Sequence, residues 1–222
     1  MNEVITQILR EEERWGGRFL LLPHVESDVR DMESKERSLE EVRLSLSTCR
    51  RCVLGGSRKN IVFGEGSINA QVMFIGEAPG AVEDDTGRPF VGPAGKLLTD
   101  IIEKGMGLKR SDVYIANILK CRPPENRDPN PAEITECIGN LREQIGIIQP
   151  RVMVVLGKIA AQTLLDTDAP ISGLRGRFQD YQGICVMPTY HPSYLLHNPA
   201  KKRDVWEDIK KVMQYLDLPL PK

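Results

Sequence analysis

Four short apolar runs, each followed by a segment with helical spacing, constrain the fold of this chain more than any other feature. The runs are Val72–Ile75, Val113–Ala116, Val152–Leu156 and Ile184–Met187. Continuous apolar runs of this length are typical of strands that are buried on both faces of a parallel sheet. The helical segments are Ala94–Lys104, Pro131–Ile148, Lys158–Leu165 and Asp204–Leu216. This alternation predicts an α/β protein, a three-layer α/β/α sandwich with a central, mostly parallel four-stranded sheet.

Polar residues follow three of these four strands. Glu77 stands in a turn rich in glycine and proline after the first strand, Asn117 ends the second, and His191 follows the fourth. Open α/β sheets bind ligands at the carboxyl ends of their strands, so we expect the three side chains to converge there. A carboxylate, an amide and an imidazole in one place indicate an active site. Taken singly, each has a structural alternative: a solvated loop carboxylate, a turn-capping amide and a structural histidine.

The five cysteines have an uneven spacing. Cys49 and Cys52 are separated by two residues, whereas Cys121 and Cys137 come much later in the chain. Four thiolates can hold either a tetrahedral zinc ion or a cubane iron–sulfur cluster, and the wide spacing argues against a compact zinc ribbon. The alternative is that Cys121 and Cys137 are small buried hydrophobic residues. Cys185 lies within an apolar run, and for it we predict that structural role.

Length and charge limit the remaining possibilities. A chain of 222 residues can bury a full core in one domain. Net charge is −1, divided into −4 for residues 1–48 and +3 for residues 49–222, which permits a local phosphate-binding patch but no protein-wide basic field. No apolar run has membrane-spanning length, and the charged run Arg10–Arg14 replaces the apolar one of a signal peptide. We therefore predict a cytoplasmic monomer without membrane contact, with an N-terminal extension over residues 1–45 that contains a short helix at Ser38–Ser45.

Three motifs resemble those of the family 4 uracil-DNA glycosylases. The first is Gly76–Gly80 with Glu83-Asp84, Gly87–Gly95 and Leu97-Leu98. The second is Tyr114–Asn117 with Lys120–Pro124 and Asn126–Pro129, and the third is Pro188–Ser193 with Leu195-Leu196. The resemblance covers residues 49 to about 214, so residues 46–222 are expected to form a uracil-DNA glycosylase domain. It implies uracil-containing DNA, single- or double-stranded, as the partner, and a [4Fe–4S] cluster as the cofactor. The expected cluster ligands are Cys49, Cys52, Cys121 and Cys137.

The resemblance also gives roles to the strand-end residues. Glu77 would orient water and offset positive charge on the sugar, and His191 would donate a hydrogen bond to uracil O2. Asn117 has one donor and one acceptor, which match uracil O4 and N3–H. The remaining uracil-binding residues would be the stacking ring of Phe90, Glu83 beside base C5, Gly76 and Ala78. The expected DNA contacts are Ser193, Arg122 and Arg127 with phosphates, and Leu195 or Leu196 as a wedge in the base stack.

Two alternatives to ordinary turnover are open. Some relatives with the same cluster capture uracil-containing DNA covalently, through a histidine on an extra basic loop after the middle motif. Residues 118–136 contain no histidine and no such insertion, which favours hydrolysis. The other alternative is a non-catalytic iron–sulfur or zinc module that binds nucleic acid. Such a module would not need Glu77, Asn117 and His191 to converge.

Overall fold

The computed structural model describes residues 23–220, with side chains from residue 31 onward. Residues 1–22 of the predicted extension lie outside the described residues. The strands are β1 (Glu65–Gly66), β2 (Val72–Gly76), β3 (Tyr114–Asn117), β4 (Val152–Leu156), β5 (Gln179–Tyr181) and β6 (Ile184–Thr189). The α-helices are α1 (Pro23–Ser47), α2 (Ala81–Thr86), α3 (Pro93–Asp100), α4 (Pro131–Ile148), α5 (Lys158–Leu165), α6 (Ile171–Leu174), α7 (Pro192–His197) and α8 (Lys202–Tyr215).

The strands form one sheet in the order β1-β3-β2-β4-β6-β5. The four predicted strands are its parallel centre, and the short strands β1 and β5 add antiparallel edges to it. Sequence patterning did not predict these edges, because two or three residues show no periodicity. In the register, Gly76 pairs with Asn117, and Leu156 pairs with Thr189. The carboxyl ends of the central strands therefore lie level at one edge of the sheet.

Helices cover both faces of the sheet, as the predicted three-layer sandwich requires. Met73 and Ile75 of β2 pack into one core with residues of α1, α4 and α5. Val72 and Phe74, which point to the opposite face, pack into a second core with residues of α3 and α8. The alternation of side chains along β2 thus supplies both cores, and the sheet is buried on both faces.

Two helices differ from their predicted bounds. The short helix expected at Ser38–Ser45 is the last part of α1, whose Leu39 and Val42 are buried in the core with α4. The predicted boundary between the N-terminal extension and the domain, at residue 45, therefore falls inside a helix that packs on the domain. The helix expected at Ala94–Lys104 is α3 followed by a π-helical turn, Ile101–Gly105. Over residues 23–220, no helix is long and apolar enough to cross a membrane.

Candidate active site and cysteine cluster

A cavity of about 340 Å³ opens at the carboxyl edge of the sheet. Glu77, Asn117 and His191, which follow β2, β3 and β6, all line it. Ala78, Glu83, Phe90, Arg127 and Ser193 also line this cavity. The structure therefore brings together the three strand-end residues, and a cavity of this size can accept a single nucleobase.

His191 is fixed at the N-terminus of α7 in a defined tautomer. Its Nδ1 accepts a hydrogen bond from the backbone N–H of Ser193 at 3.1 Å, and Ser193 Oγ lies 2.7 Å from the same nitrogen. Burial lowers the pKa of His191 to about 4, so the imidazole is neutral at pH 7. Because Nδ1 is the acceptor, the single proton of the neutral ring resides on Nε2. His191 can therefore donate one hydrogen bond from Nε2 without carrying a charge.

Glu77 directly follows β2 and is partly buried in the cavity wall. Burial, and secondarily the nearby negative charge of Asp128, raises the pKa of Glu77 to about 7. Its backbone carbonyl accepts from the Leu119 N–H at 2.9 Å, which fixes the turn without engaging the carboxylate. A carboxyl group whose pKa lies near neutrality is suited to accept a proton from water.

Asn117 ends β3 with its side chain 2% exposed. Its Oδ1 is the one buried side-chain nitrogen or oxygen that lacks a hydrogen-bond partner among residues 31–220. A buried acceptor without a partner costs about 1–3 kcal/mol, and a ligand that donates to it would recover this free energy. A Cβ at Gly76 would collide with this oxygen and with the Phe90 ring. Gly76 therefore contributes by leaving room for Asn117 and Phe90 to approach each other.

Phe90 adopts a left-handed backbone conformation, with φ of 51°. Such a conformation is rare for a bulky residue and persists only where the surroundings hold it. Glu83 Oε1 accepts hydrogen bonds from the backbone N–H groups of Val91 at 2.9 Å and Gly92 at 2.8 Å. The ring of Phe90 is thereby fixed in the cavity wall, with its centroid 5.6 Å from that of His191. Glu83 lines the cavity and also holds the loop that carries Phe90.

The residues predicted to contact DNA differ in their surroundings. Ser193 and Leu196 are exposed, Leu196 at 43%. Of the two leucines offered as the wedge, Leu196 is the one at the surface, because Leu195 is 1% exposed and packs in the core beneath α7. Arg127 forms two hydrogen bonds with the carboxylate of Glu133, at 2.9 and 2.6 Å, which offset its charge. Arg122, partly buried, donates to the side chain of Asn126 at 2.8 Å.

Two further polar residues of the cavity wall were missed by sequence reasoning. Lys158 is exposed and begins α5, directly after β4 and Gly157. The signal was available, because β4 is a central parallel strand and its carboxyl end must lie at the same edge as the others. Asn126 also lines the cavity, from a loop in which Glu125 and Asn126 both have positive φ.

The four motif cysteines line one small second cavity. Three of their sulfur atoms have donors: Cys49 from Arg51 Nε at 3.5 Å, Cys121 from Arg58 Nη1 at 3.5 Å, and Cys137 from the Lys120 N–H at 3.3 Å. Cys185 lies apart from them, in β6. Over the described side chains, no three Cys, His, Asp or Glu residues are close enough together to hold a single metal ion. Four cysteine sulfur atoms around one cavity, three of them with hydrogen-bond donors, fit a cubane, in which each sulfur binds its own iron.

The chain is similar to known uracil-DNA glycosylases. The model of the family described as "Uracil DNA glycosylase superfamily" matches residues 63–210. The chain is 43% identical over 185 residues to a type-4 uracil-DNA glycosylase of Sulfurisphaera tokodaii, covering 80% of this chain and 84% of the relative. It is 44% identical over 189 residues to that of Thermotoga maritima, covering 83% and 98%. It is 43% identical over 193 residues to that of Saccharolobus solfataricus, covering 83% and 88%.

Proposed function

The chain belongs to family 4 of the uracil-DNA glycosylase superfamily, and on that premise we propose that it flips uracil out of DNA and hydrolyses its N-glycosidic bond. The products are free uracil and an abasic site. Three relatives at 43–44% identity are named as enzymes of this type. An enzyme that acts on a base must first extrude the nucleotide from the stack, and the cavity at the sheet edge accepts the extruded base.

The unpaired Oδ1 of Asn117 is the observation that carries this assignment most directly. Uracil presents an N3–H donor beside an O4 acceptor, so one amide can accept from N3–H and donate to O4. Cytosine presents the reverse pattern at these positions, which would leave buried polar groups unpaired. The fixed ring of Phe90 supplies a flat surface on which the base stacks. We propose that Asn117 and Phe90 together select uracil.

The remaining two residues account for bond cleavage. As the bond between C1′ and N1 breaks, its electron pair moves to uracil, and the sugar acquires positive charge. The Nε2–H of His191 donates to O2, where negative charge accumulates, while ionised Glu77 offsets the charge on the sugar. Glu77 also holds the attacking water and accepts its proton, and the water oxygen forms the new bond to C1′. His191 stays neutral throughout.

We propose that the four motif cysteines hold a [4Fe–4S] cluster. The chemistry of the donor set supports it, since four thiolates surround one cavity and three accept hydrogen bonds from nearby N–H groups. When bound, the group cross-links the chain at three points. Cys49 and Cys52 follow α1, Cys121 follows the β3 end that carries Asn117, and Cys137 lies in α4. We expect this cross-link to hold the uracil-reading strand end in place.

The rate of base excision is expected to depend on pH through Glu77. Its pKa of about 7 means that the carboxylate is ionised above that pH and protonated below it. The proposed roles need the ionised form, so the single-turnover rate constant should fall as pH decreases below about 7. His191, with a pKa of about 4, is neutral over this range and adds no inflection. Rapid-quench measurements between about pH 5 and pH 9 give the profile, because this range brackets the pKa of Glu77 and lies above that of His191.

A matched variant shows whether this inflection belongs to Glu77. Glu77→Gln keeps the shape of the side chain but cannot ionise. Its residual rate should therefore be low and flat across the same range. An inflection near pH 7 that persists in Glu77→Gln would assign the titration to another group.

The selectivity of the cavity provides the test of function. The wild-type protein should excise uracil from an oligonucleotide and leave a matched thymine oligonucleotide intact. Asn117→Asp replaces the N–H₂ donor to O4 with an acceptor, so uracil excision should fall by roughly 100-fold. The same variant is expected to gain measurable activity on cytosine, whose N4 amine can donate to the new carboxylate. Uracil excision by Asn117→Asp at the wild-type rate would mean that the base is read elsewhere.

A further inference from the structure

Lys120 is a buried lysine between the uracil site and the cysteine cluster. It lies three residues after Asn117 and directly before Cys121, and its side chain is 0% exposed. Its Nζ donates to the backbone carbonyl of Asn117 at 3.0 Å and to Gln144 Oε1 at 2.6 Å. The ammonium therefore contacts the end of β3, which carries the Asn117 amide. The proposed steps of bond cleavage do not use it.

The surroundings of this ammonium are arranged for a cation. Gln144 donates from Nε2 to the Phe63 carbonyl at 3.0 Å and to the Tyr114 hydroxyl at 3.1 Å. These two bonds fix the amide so that Oε1 faces Nζ. Yet among the described side chains no Asp or Glu forms an ion pair with Lys120. A fully buried charge without an anionic partner costs several kcal/mol, so buried charges are normally paired.

The cysteine cluster supplies the missing anion. Lys120 lines the same cavity as the four motif cysteines. Its backbone N–H donates to Cys137 Sγ at 3.3 Å, and its chain neighbour is Cys121. A [4Fe–4S] cluster held by four thiolates carries net negative charge, because the thiolates outweigh the charge of the iron–sulfide core. Bound there, the cluster would place negative charge in the cavity that Lys120 lines.

We propose that Lys120 is a positioning residue whose buried ammonium is the counter-ion of the cluster and fixes, through the Asn117 carbonyl, the amide that reads uracil. The proposal rests on the proposed function, since it needs both the cluster and the uracil-binding role of Asn117. The position of the Asn117 amide in the uracil site then depends, through this one side chain, on the presence of the cluster. This gives the cluster a defined part in base recognition, beyond general support of the fold.

Two measurements on Lys120→Met test the proposal without relying on activity. The variant keeps an unbranched side chain of similar length and removes the charge. Reduction adds negative charge to the cluster, which a nearby cation stabilises, so the midpoint potential should shift to more negative values. Binding of DNA with 2′-fluoro-deoxyuridine, which resists cleavage, should weaken by roughly tenfold, the scale of a buried carbonyl left without its donor. Binding of the matched thymine duplex should not change.

Tyr114→Phe is the matched control, because it removes one hydroxyl from the same buried network and leaves the ammonium in place. Because the bond from Gln144 Nε2 to the Phe63 carbonyl still orients the amide, this variant should keep the wild-type potential and the wild-type preference for uracil. Gln144→Glu provides a second test in case Lys120→Met does not fold. It places a competing carboxylate beside Nζ, and should also shift the potential to more negative values.

The outcomes separate this inference from the proposed function. If the wild-type protein holds no iron or excises no uracil, the proposed function fails. If the wild-type protein does both, and Lys120→Met matches it in potential and uracil preference, only the role of Lys120 is wrong. An unchanged potential in Gln144→Glu would likewise reject the counter-ion role.

Discussion

His191→Ala and Glu77→Ala should each lower the single-turnover rate constant for uracil excision by roughly 100-fold or more, the scale of losing one positioned stabiliser or acid–base group. His191→Ala removes the neutral Nε2–H donor that faces charge on the leaving base. Glu77→Ala removes the carboxylate that holds water and offsets charge on the sugar. Each acts mainly in the transition state, so binding of uracil-containing DNA should weaken much less than the rate.

Exposed residues of the same types are the matched controls. His197 is the last residue of α7, the helix whose N-terminus His191 caps, and it is exposed. Glu125 is an exposed carboxylate in the loop between Cys121 and α4. His197→Ala and Glu125→Ala should keep rates within about twofold of the wild type, as surface substitutions usually do. Near-normal single-turnover rates in His191→Ala and Glu77→Ala would show that the proposed roles are wrong.

Cys121→Ser should lose the cluster and destabilise the fold, by roughly several kcal/mol, because metal binding of this kind is part of the folding free energy. Of the four proposed ligands, Cys121 is the nearest to Asn117 in the chain, and it is 8% exposed. Iron content, thiolate-to-iron charge-transfer absorption and thermal unfolding measure the loss. The wild-type protein should be yellow-brown.

Cys185→Ser is the control for this substitution, since Cys185 lies in β6 and does not line the cluster cavity. It should retain both iron and colour. Active, colourless wild-type protein with stoichiometric zinc would contradict the cluster assignment. Loss of iron from Cys185→Ser, with retention by Cys121→Ser, would mean that the ligand set is wrong.

The central sheet could be predicted from the sequence because each parallel strand is a continuous apolar run. The same runs predicted the convergence of Glu77, Asn117 and His191, since their positions follow from the strand ends alone. The edge strands β1 and β5 were beyond prediction, because they have two and three residues and depend on pairing with β3 and β6. The length of α1 was also missed, since its charged sequence shows few apolar positions.

Residues whose roles depend on tertiary partners could not be predicted in the same way. The helical turn of α7 directs Leu195 into the core and Leu196 outward, and adjacent leucines give no such signal in sequence. Arg127 looked available for phosphate, but Glu133 of α4 binds it. The sequence shows Lys120 only as part of a motif, and it is the packing of Gln144 and the cysteines around it that indicates a buried cation.

The central claim is that water, held by Glu77, cleaves the glycosidic bond of an extruded uracil. It is tested most directly by incubating the wild-type protein with uracil-containing DNA and quantifying the products, with denaturing gels run after heat and detergent. We predict one free uracil per uracil site, alkali-labile DNA, and no protein–DNA band. A protein–DNA band that survives heat and detergent, or binding without release of uracil, would contradict the account.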